Sequence, residues 1–502
     1  MPSLIDLNLE GQPVARHRPW PRTVVDRAVW SFAAKMLGEQ QWQLLSLWGE
    51  PSSVHMALFD PRTSEIGVIS LGCPQRSFPS VAAKHLPALR LERTITDLYG
   101  LIAEGAIDDR PWLDHGRWAK KAPLGEVITA SSQPAYPFLP VEGTGTHQVA
   151  VGPVHAGIIE PGHFRFTVSG ETVVRLEQRF GYVHKGIDGL MSGAELPRAA
   201  QLAGRVSGDS TVAYALAFAR AVETAIDAEV PARAVWLRTL CAELERLANH
   251  LGDIGAICND AAFAIMLAQF GVLRENMLRA ADTAFGHRLM RDVVTPGGVA
   301  RDLDDAGIAA IRAALATVRK QWPKLIALYE DTASLQDRTV ATGFVKPALV
   351  DQYATGGFVG RASGRSFDAR RTLAYAPYDE LSFDVPVLSE GDVDARVRIR
   401  ISEVVQSLML IDQILDRLPS GAIHVPLTLP EEPCEGLALV EGFRGDVFVW
   451  LRIANGRIAR CHFRDPSWFQ WPLLEAAIEG NIIADFPLCN KSFNCSYSGV
   501  DL

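Results

Sequence analysis

The sequence contains no Cys-x-x-Cys pair, and its seven cysteines stand at 73, 241, 258, 434, 461, 489 and 495. That excludes a zinc ribbon, a thioredoxin-like centre and an iron–sulfur cluster bound by this chain alone. An odd, sparse set also argues for a reducing compartment without structural disulfides. Only Cys489 and Cys495 lie close together, and two thiols without a third ligand read as incidental core residues. Positive charge is in short supply: 49 Lys and Arg against 58 Asp and Glu leave a net charge of −9. The concentrated basic face that phosphate backbones require is therefore not expected, and nucleic acid is excluded as a general partner. No apolar run reaches the roughly 18 residues needed to cross a bilayer. The best candidate, Ala261 to Leu273, is too short and contains Gln269. The opening Met1-Pro2-Ser3-Leu4-Ile5-Asp6 lacks a basic region followed by an apolar core, so no signal peptide is expected. Internal repeats and low-complexity tracts are absent as well.

What is present is an ordinary globular composition, 48% hydrophobic and 21% charged, in 502 residues, enough for two or three domains. Residues 1–118 mix short β-rich runs, Val54–Phe59 and Ile66–Leu71 among them, with helical stretches, which predicts a small α/β domain. Residues 119–149 collect prolines, serines and glycines, as in Ser131-Ser132-Gln133-Pro134, and read as an irregular connector. Phe164–Val168 and Thr172–Leu176 predict a hairpin turning through Ser169-Gly170-Glu171. After it, apolar residues recur at helical spacing. One stripe is Leu237, Leu240, Leu244, Leu247 and Leu251; a second is Ile308, Ile311, Leu315, Val318 and Trp322, with Asp304 or Asp305 as N-cap. A third carries Ile401, Val404, Leu408, Ile411 and Leu415 and stops at Pro419-Ser420-Gly421. Residues 150–502 are thus expected to be mainly helical, with a small β-hairpin near their start. The whole is classed as α+β.

Several segments carry polar chemistry. His155 and His163 flank Glu160 in a Gly/Pro-rich loop, which alone reads as a solvated turn. Gly181-Tyr182-Val183-His184-Lys185-Gly186 resembles the G-Y-x-H-R-G signature of the nickel–iron hydrogenase large subunit and of its relative, the 49 kDa subunit of respiratory complex I. Glu243-Leu244-Glu245-Arg246-Leu247-Ala248-Asn249-His250-Leu251 is similar to the helix that follows it there. Pro296-Gly297-Gly298, Asp337-Arg338-Thr339, Arg361-Ala362-Ser363-Gly364, Phe383-Asp384-Val385-Pro386 and Phe443-Arg444-Gly445-Asp446 continue the match in order across 150–502. Leu91-Glu92-Arg93 with Asp97-Leu98-Tyr99-Gly100 resembles the complex I 30 kDa subunit. A fusion of the two resembles the large subunits of energy-converting hydrogenases of the formate hydrogenlyase type.

The departures from that family are specific. Its active members place four thiolates on nickel and iron from R-x-C-G-x-C and D-P-C-x-x-C segments. Here Arg205-Val206-Ser207-Gly208-Asp209-Ser210 falls on the first, and Asn494-Cys495-Ser496-Tyr497-Ser498-Gly499 on the second. Ser207, Ser210, Ser496 and Gly499 stand at the ligand positions, with Cys495 one residue out of place. A protonated hydroxyl is a hard donor and does not replace a thiolate on low-valent nickel. No nickel–iron centre is expected, nor an extension of the kind removed at maturation after Leu502.

The resemblance implies a remodelled cavity of Glu160, His163, Arg205, Asp209 and Arg444, with His155 as a further member of a quinone or substrate pocket. Arg205 or Arg444 paired with Asp209 or Glu160 as a salt-bridged plug fits the same residues. Asp368 with Arg370, and Asp384, are expected either to couple redox events to a membrane arm or to form buried ion pairs. No cofactor is expected on this chain itself; a [4Fe-4S] cluster is expected in a partner small subunit, with quinone as a candidate acceptor. The implied partners are that iron–sulfur small subunit, a ferredoxin-like iron–sulfur subunit, and antiporter-like and anchor membrane subunits. The implied location is peripheral, on the cytoplasmic face of the inner membrane. The implied function is electron transfer coupled to proton or sodium translocation. The alternatives are a redox-inactive scaffold and, third, an active hydrogenase.

Overall fold

The computed structural model describes residues 4, 11–126, 128–129, 135–155 and 159–502. Ser131–Pro134 of the connector, Ala156–Ile158 of the histidine loop, and Met1–Ser3 with Ile5–Asp6 lie outside the described residues. The chain opens with β1 (Gln12–Pro13), β2 (His17–Arg18) and β3 (Arg22–Val25), then α1 (Arg27–Gly38). Asp26 starts α1 by accepting the N–H groups of Ala28 and Val29, each at 2.9 Å. Three long strands follow, β4 (Gln43–Glu50), β5 (Ser53–Asp60) and β6 (Glu65–Gly72), and then α2 (Leu89–Tyr99). They form a five-stranded sheet in the order β1-β3-β6-β5-β4, with the two apolar runs anticipated at 54–59 and 66–71 as its central strands.

The expected hairpin is present with a third strand beside it. β7 (Thr146–Val151), β8 (His163–Ser169) and β9 (Thr172–Arg179) pair antiparallel, and Gly170 makes the turn with φ of +59°. The helices α3 (Thr211–Ile226), α4 (Ala232–Asp260), α5 (Ala264–Phe285), α6 (Asp305–Asp331) and α7 (Val393–Arg417) make up the bundle. The leucine stripe of α4 is buried along its whole length, and Asp304 caps α6 through the Gly307 N–H at 2.8 Å.

A further element was not signalled by periodicity. β10 (Cys434–Gly442), β11 (Gly445–Ala454) and β12 (Arg457–Arg464) form an antiparallel meander, followed by α8 (Ser467–Ile478) and α9 (Phe486–Phe493). All nine residues of β10 are buried, so polar–apolar alternation gives no sign of a strand. α3 lies directly on β10: a Cβ at Gly436 would come 1.9 Å from the Ala221 carbonyl oxygen, so only glycine permits this approach.

The meander is also where the beginning of the chain is attached. β2 runs parallel to β10, pairing His17 with Glu435 and Arg18 with Gly436. Glu435 accepts from Arg22 at 2.5 Å and from Arg452 at 2.8 Å, and Arg452 reaches on to Glu50 at 2.7 and 2.8 Å. Beside this chain of charges the Trp48 ring stacks on His462, centroids 5.2 Å apart, and Ser46 Oγ lies 2.8 Å from His462 Nε2. Among the described residues no helix is long and apolar enough to cross a membrane; Ala264–Leu273 forms part of the amphipathic α5.

Candidate functional site

Two distant segments meet at the start of α3. Ser207, Gly208 and Asp209 lead into the helix, while Asn494–Tyr497 leave α9 through Asn494, whose left-handed φ of +46° turns the chain. The Ser207 hydroxyl lies 2.9 Å from that of Ser496 and donates to Asp209 Oδ1 at 3.0 Å. Arg444, from the tight turn between β10 and β11, clasps Asp209 with both terminal nitrogens, at 2.6 and 2.5 Å. Its Nη1 also donates to Ser210 Oγ at 3.0 Å, and its Nε to the Asn494 carbonyl at 2.5 Å. Glu160 arrives from the histidine loop and accepts the Ser498 N–H at 3.0 Å. These side chains surround a cavity of about 340 Å³, to which Asp260 and Lys491 add charge. Burial works to raise the Asp209 pKa, but Arg444 more than offsets it, and the carboxyl is held below its usual value.

Of the residues expected here, Glu160, Asp209, Arg444, Ser207 and Ser496 line one cavity, and Ser210 bonds to the guanidinium within it. The placement of Arg205 in this group is corrected. Its side chain is 34% exposed and forms a bidentate pair with Asp292, at 2.6 and 2.7 Å, away from the cavity. Arg205 and Asp209 are four residues apart, but the turn through Ser207 and Gly208 sends them to different sides. The two histidines do not line the cavity either. His155 Nε2 contacts the Gly162 carbonyl at 2.7 Å and packs on Phe164. His163 Nδ1 lies 3.4 Å from the Gly152 carbonyl beside the Phe138 ring, and burial lowers its pKa. Both pin the loop at the β7 and β8 ends. Cys489 and Cys495 are buried in separate surroundings, one beside Gly343 and the other 3.8 Å from Gln470 Oε1.

A thiolate-ligated bimetallic centre does not fit these residues. Three of its four ligand positions carry hydroxyls already committed to one another and to Asp209. The fourth, Gly499, has no room for a side chain: a Cβ there would lie 2.5 Å from Asp465 Oδ2. Asp465 is itself fixed, accepting from Tyr214 OH at 2.6 Å and from the Ser467 N–H at 2.8 Å.

Behind the cavity lies a second polar assembly, into which the motif residues Glu243, Arg246, His250 and Arg361 fall together with Asp368 and Arg370. Arg361 donates to Glu403 and Glu441, each at 2.9 Å. Arg370 is bidentate on Asp368, at 3.0 and 2.7 Å, and reaches Glu243 at 2.9 Å. Tyr378 and Ser407 also donate to Glu243, at 2.6 and 2.8 Å, and His250 Nε2 lies 2.7 Å from Glu403. Arg246 binds the Glu441 and Gly442 carbonyls. All these groups are buried. Glu243, Asp368, Glu403 and Glu441 are paired with Arg246, Arg361 and Arg370, and Arg400 and Arg365 act on Glu403 and Glu441 from farther off. Burial, reinforced by Asp368, pushes Glu441 up to about 7, so it is the group suited to hold a proton. Burial also keeps His250 below its usual value. Asp384, by contrast, is exposed; its backbone N–H donates to Gln406 Oε1.

The family model for the 49 kDa subunit of respiratory-chain NADH dehydrogenase matches residues 259–432. Formate hydrogenlyase subunit 5 of Escherichia coli is 31% identical over 438 residues, covering 84% of this chain and 77% of that protein. The carbon monoxide-induced hydrogenase of Rhodospirillum rubrum is 31% identical over 355 residues, covering 70% and 97%. A chain from the membrane-bound sulfane sulfur reductase, described as an archaeal respiratory membrane complex, superposes with a TM-score of 0.67 at 26% identity, covering 72% of this chain and 100% of that one. The order of motifs, the fold that carries them and these relatives agree: the chain belongs to the family that unites formate hydrogenlyase-type hydrogenase large subunits with the 49 kDa-type subunit of complex I.

Proposed function

We propose that this chain is the large subunit of a membrane-bound respiratory complex and works there without a nickel–iron centre. The observation that carries the reading is Gly499: where the family has its fourth metal ligand this chain has no side chain, and an added Cβ would meet Asp465 Oδ2 at 2.5 Å. The hydroxyls of Ser207, Ser210 and Ser496 point the same way, being hard donors where soft ones are needed. In this reading residues 1–118 are the 30 kDa-like part, 119–149 the connector and 150–502 the large-subunit part. The partners are an iron–sulfur small subunit carrying a [4Fe-4S] cluster, a ferredoxin-like subunit, and antiporter-like and anchor membrane subunits. The complex lies on the cytoplasmic face of the inner membrane and couples electron transfer to proton or sodium movement.

The cavity is the place for an acceptor, quinone being the first to test. The Arg444–Asp209 pair gives the acceptor a polar wall, and Glu160 and Lys491 are polar groups able to pass protons beside it. The name of the sulfane sulfur reductase supports the idea that the family fold serves acceptors other than protons.

The test uses the complex purified with its partners. Its iron–sulfur clusters are reduced, a soluble quinone is added, and reoxidation is followed by EPR alongside metal analysis. Fast reoxidation that falls about ten-fold in Arg444→Met supports an acceptor site here. Stoichiometric nickel would sink the metal-free reading. Clusters that stay reduced would favour a redox-inactive scaffold, which the closed Arg444–Asp209 clasp also suits.

A further inference from the structure

A second cavity, of about 540 Å³, opens on the far side of β10, where α3 ends, α4 begins and the β2 segment passes. Its charged residues are Arg18, Arg220, Arg238, Glu223 and Asp227. Four of these five are engaged with one another: Arg238 holds Glu223 at 3.0 and 2.5 Å, and Arg18 holds Asp227 at 2.6 Å. Arg220 is the exception. Its guanidinium stacks over the Tyr375 ring, 4.6 Å from the centroid, and makes no hydrogen bond or ion pair with any described residue. The Tyr375 hydroxyl is occupied elsewhere, accepting the Glu441 N–H at 3.2 Å.

Arg220 is half-buried at the cavity wall, and a charge partly withdrawn from water gains from an opposite partner there. Burial is the main influence on Arg220 and lowers its pKa, with Glu223 and Arg238 as smaller, opposed neighbours. Thr224, four residues on and therefore on the same face of α3, also lines the cavity, and its hydroxyl makes no hydrogen bond with a described residue. A planar guanidinium and a hydroxyl side by side, with an aromatic ring behind, form a cradle for an oxygen anion.

We propose that this cavity binds a small oxyanion, the carboxylate or phosphate group of a soluble molecule, on Arg220 and Thr224 with the Tyr375 ring as its floor. The anion supplies the one charge that the cavity lacks. The site is separate from the cavity at Ser207 and Arg444 and does not depend on what that cavity reduces.

Inorganic phosphate and succinate, each titrated calorimetrically into the full-length chain, test this. Binding of at least one is expected, weakened about ten-fold or more in Arg220→Gln and partly regained in Arg220→Lys. A readout independent of variants is modification of the wild-type protein by phenylglyoxal, with Arg220 followed by mass spectrometry. The bound anion should slow that reaction; slowing by phosphate alone or succinate alone identifies the anion class. Equal affinity in Arg220→Gln, or an Arg220 reaction rate indifferent to both anions, overturns the proposal. So does an Arg220 that is unreactive in the intact complex with no anion added, which would assign the charge to a carboxylate of a partner subunit.

Discussion

Asp465 stands directly over Gly499, its Oδ2 2.5 Å from where a Cβ would be. Because Tyr214 and Ser467 hold that carboxylate in place, the clash cannot be relieved by a simple rotation. Gly499→Ala is expected to cost about 1–3 kcal/mol by overpacking. Putting cysteine at 207, 210, 496 and 499 together should therefore fail to create a nickel site. Chemical denaturation of the single variant and metal analysis of the fourfold one check this; nickel retained through gel filtration would refute it.

The Arg444–Asp209 clasp predicts an asymmetric pair of variants. Arg444→Met strands a carboxylate and should destabilise by about 2–3 kcal/mol, below the usual cost for a fully buried pair. The discount arises because the Asp209 side chain is 35% exposed to the cavity while Arg444 is only 5% exposed. The double variant with Asp209→Asn should recover part of the loss, read as a coupling energy in a double-mutant cycle.

In the buried assembly, Arg361 and Glu441 should respond unequally. Arg361→Met leaves Glu403 and Glu441 without their shared cation and should cost about 3–5 kcal/mol or abolish folding. Glu441→Gln imitates the protonated acid but sets an NH2 against either the Arg361 or the Ala369 N–H, since both carboxyl oxygens accept, and should cost about 1–3 kcal/mol at neutral pH. A loss in Glu441→Gln as large as that in Arg361→Met would mean that the carboxyl is ionised in the folded protein.

Asp501 sets a pH dependence. Its carboxylate accepts the Gly181 and Val183 N–H groups at 2.8 and 2.9 Å, and burial raises its pKa to about 7. The unfolded group loses its proton near pH 4, so between about pH 4 and 7 the folded chain holds a proton that the unfolded chain does not. Stability from this group is present below that window and falls across it by about 1.4 kcal/mol per pH unit, levelling off above. Asp501→Asn should remove that slope from denaturation midpoints measured across the window. An unchanged slope would assign it to other acids.

Legibility from sequence followed the range of the interactions. The leucine stripe of α4, the Asp304 cap and the Gly170 turn depend on neighbours a few residues away, and periodicity or residue type was enough to find them. The meander of residues 434–464 was hidden because burial on both faces erases alternation, and because Glu435, Glu441, Arg452 and Arg460 interrupt its apolar runs. Within the cavity, the positions of Ser207 and Ser496 followed from motif alignment. Which arginine clasps Asp209 did not: Arg205 is near in sequence, while Arg444 is 235 residues away and wins through the β10–β11 turn. Arg220 shows the same limit, since an arginine without a partner looks in sequence like any other on a helix.

The two residue pairs by which β2 joins β10 have a consequence for handling the protein. β10 carries β11 on one side, and on the other the Glu435 N–H donates to the Arg16 carbonyl at 2.9 Å, where His17 and Arg18 run alongside Glu435 and Gly436. Remove that strand and the nine-residue, wholly buried β10 acquires a bare margin at Glu435 and Gly436, the kind of edge that recruits a second molecule. The opening residues thus act as a guard against self-association for a sheet more than four hundred residues downstream, and a chain trimmed past Arg18 should clump before it unfolds.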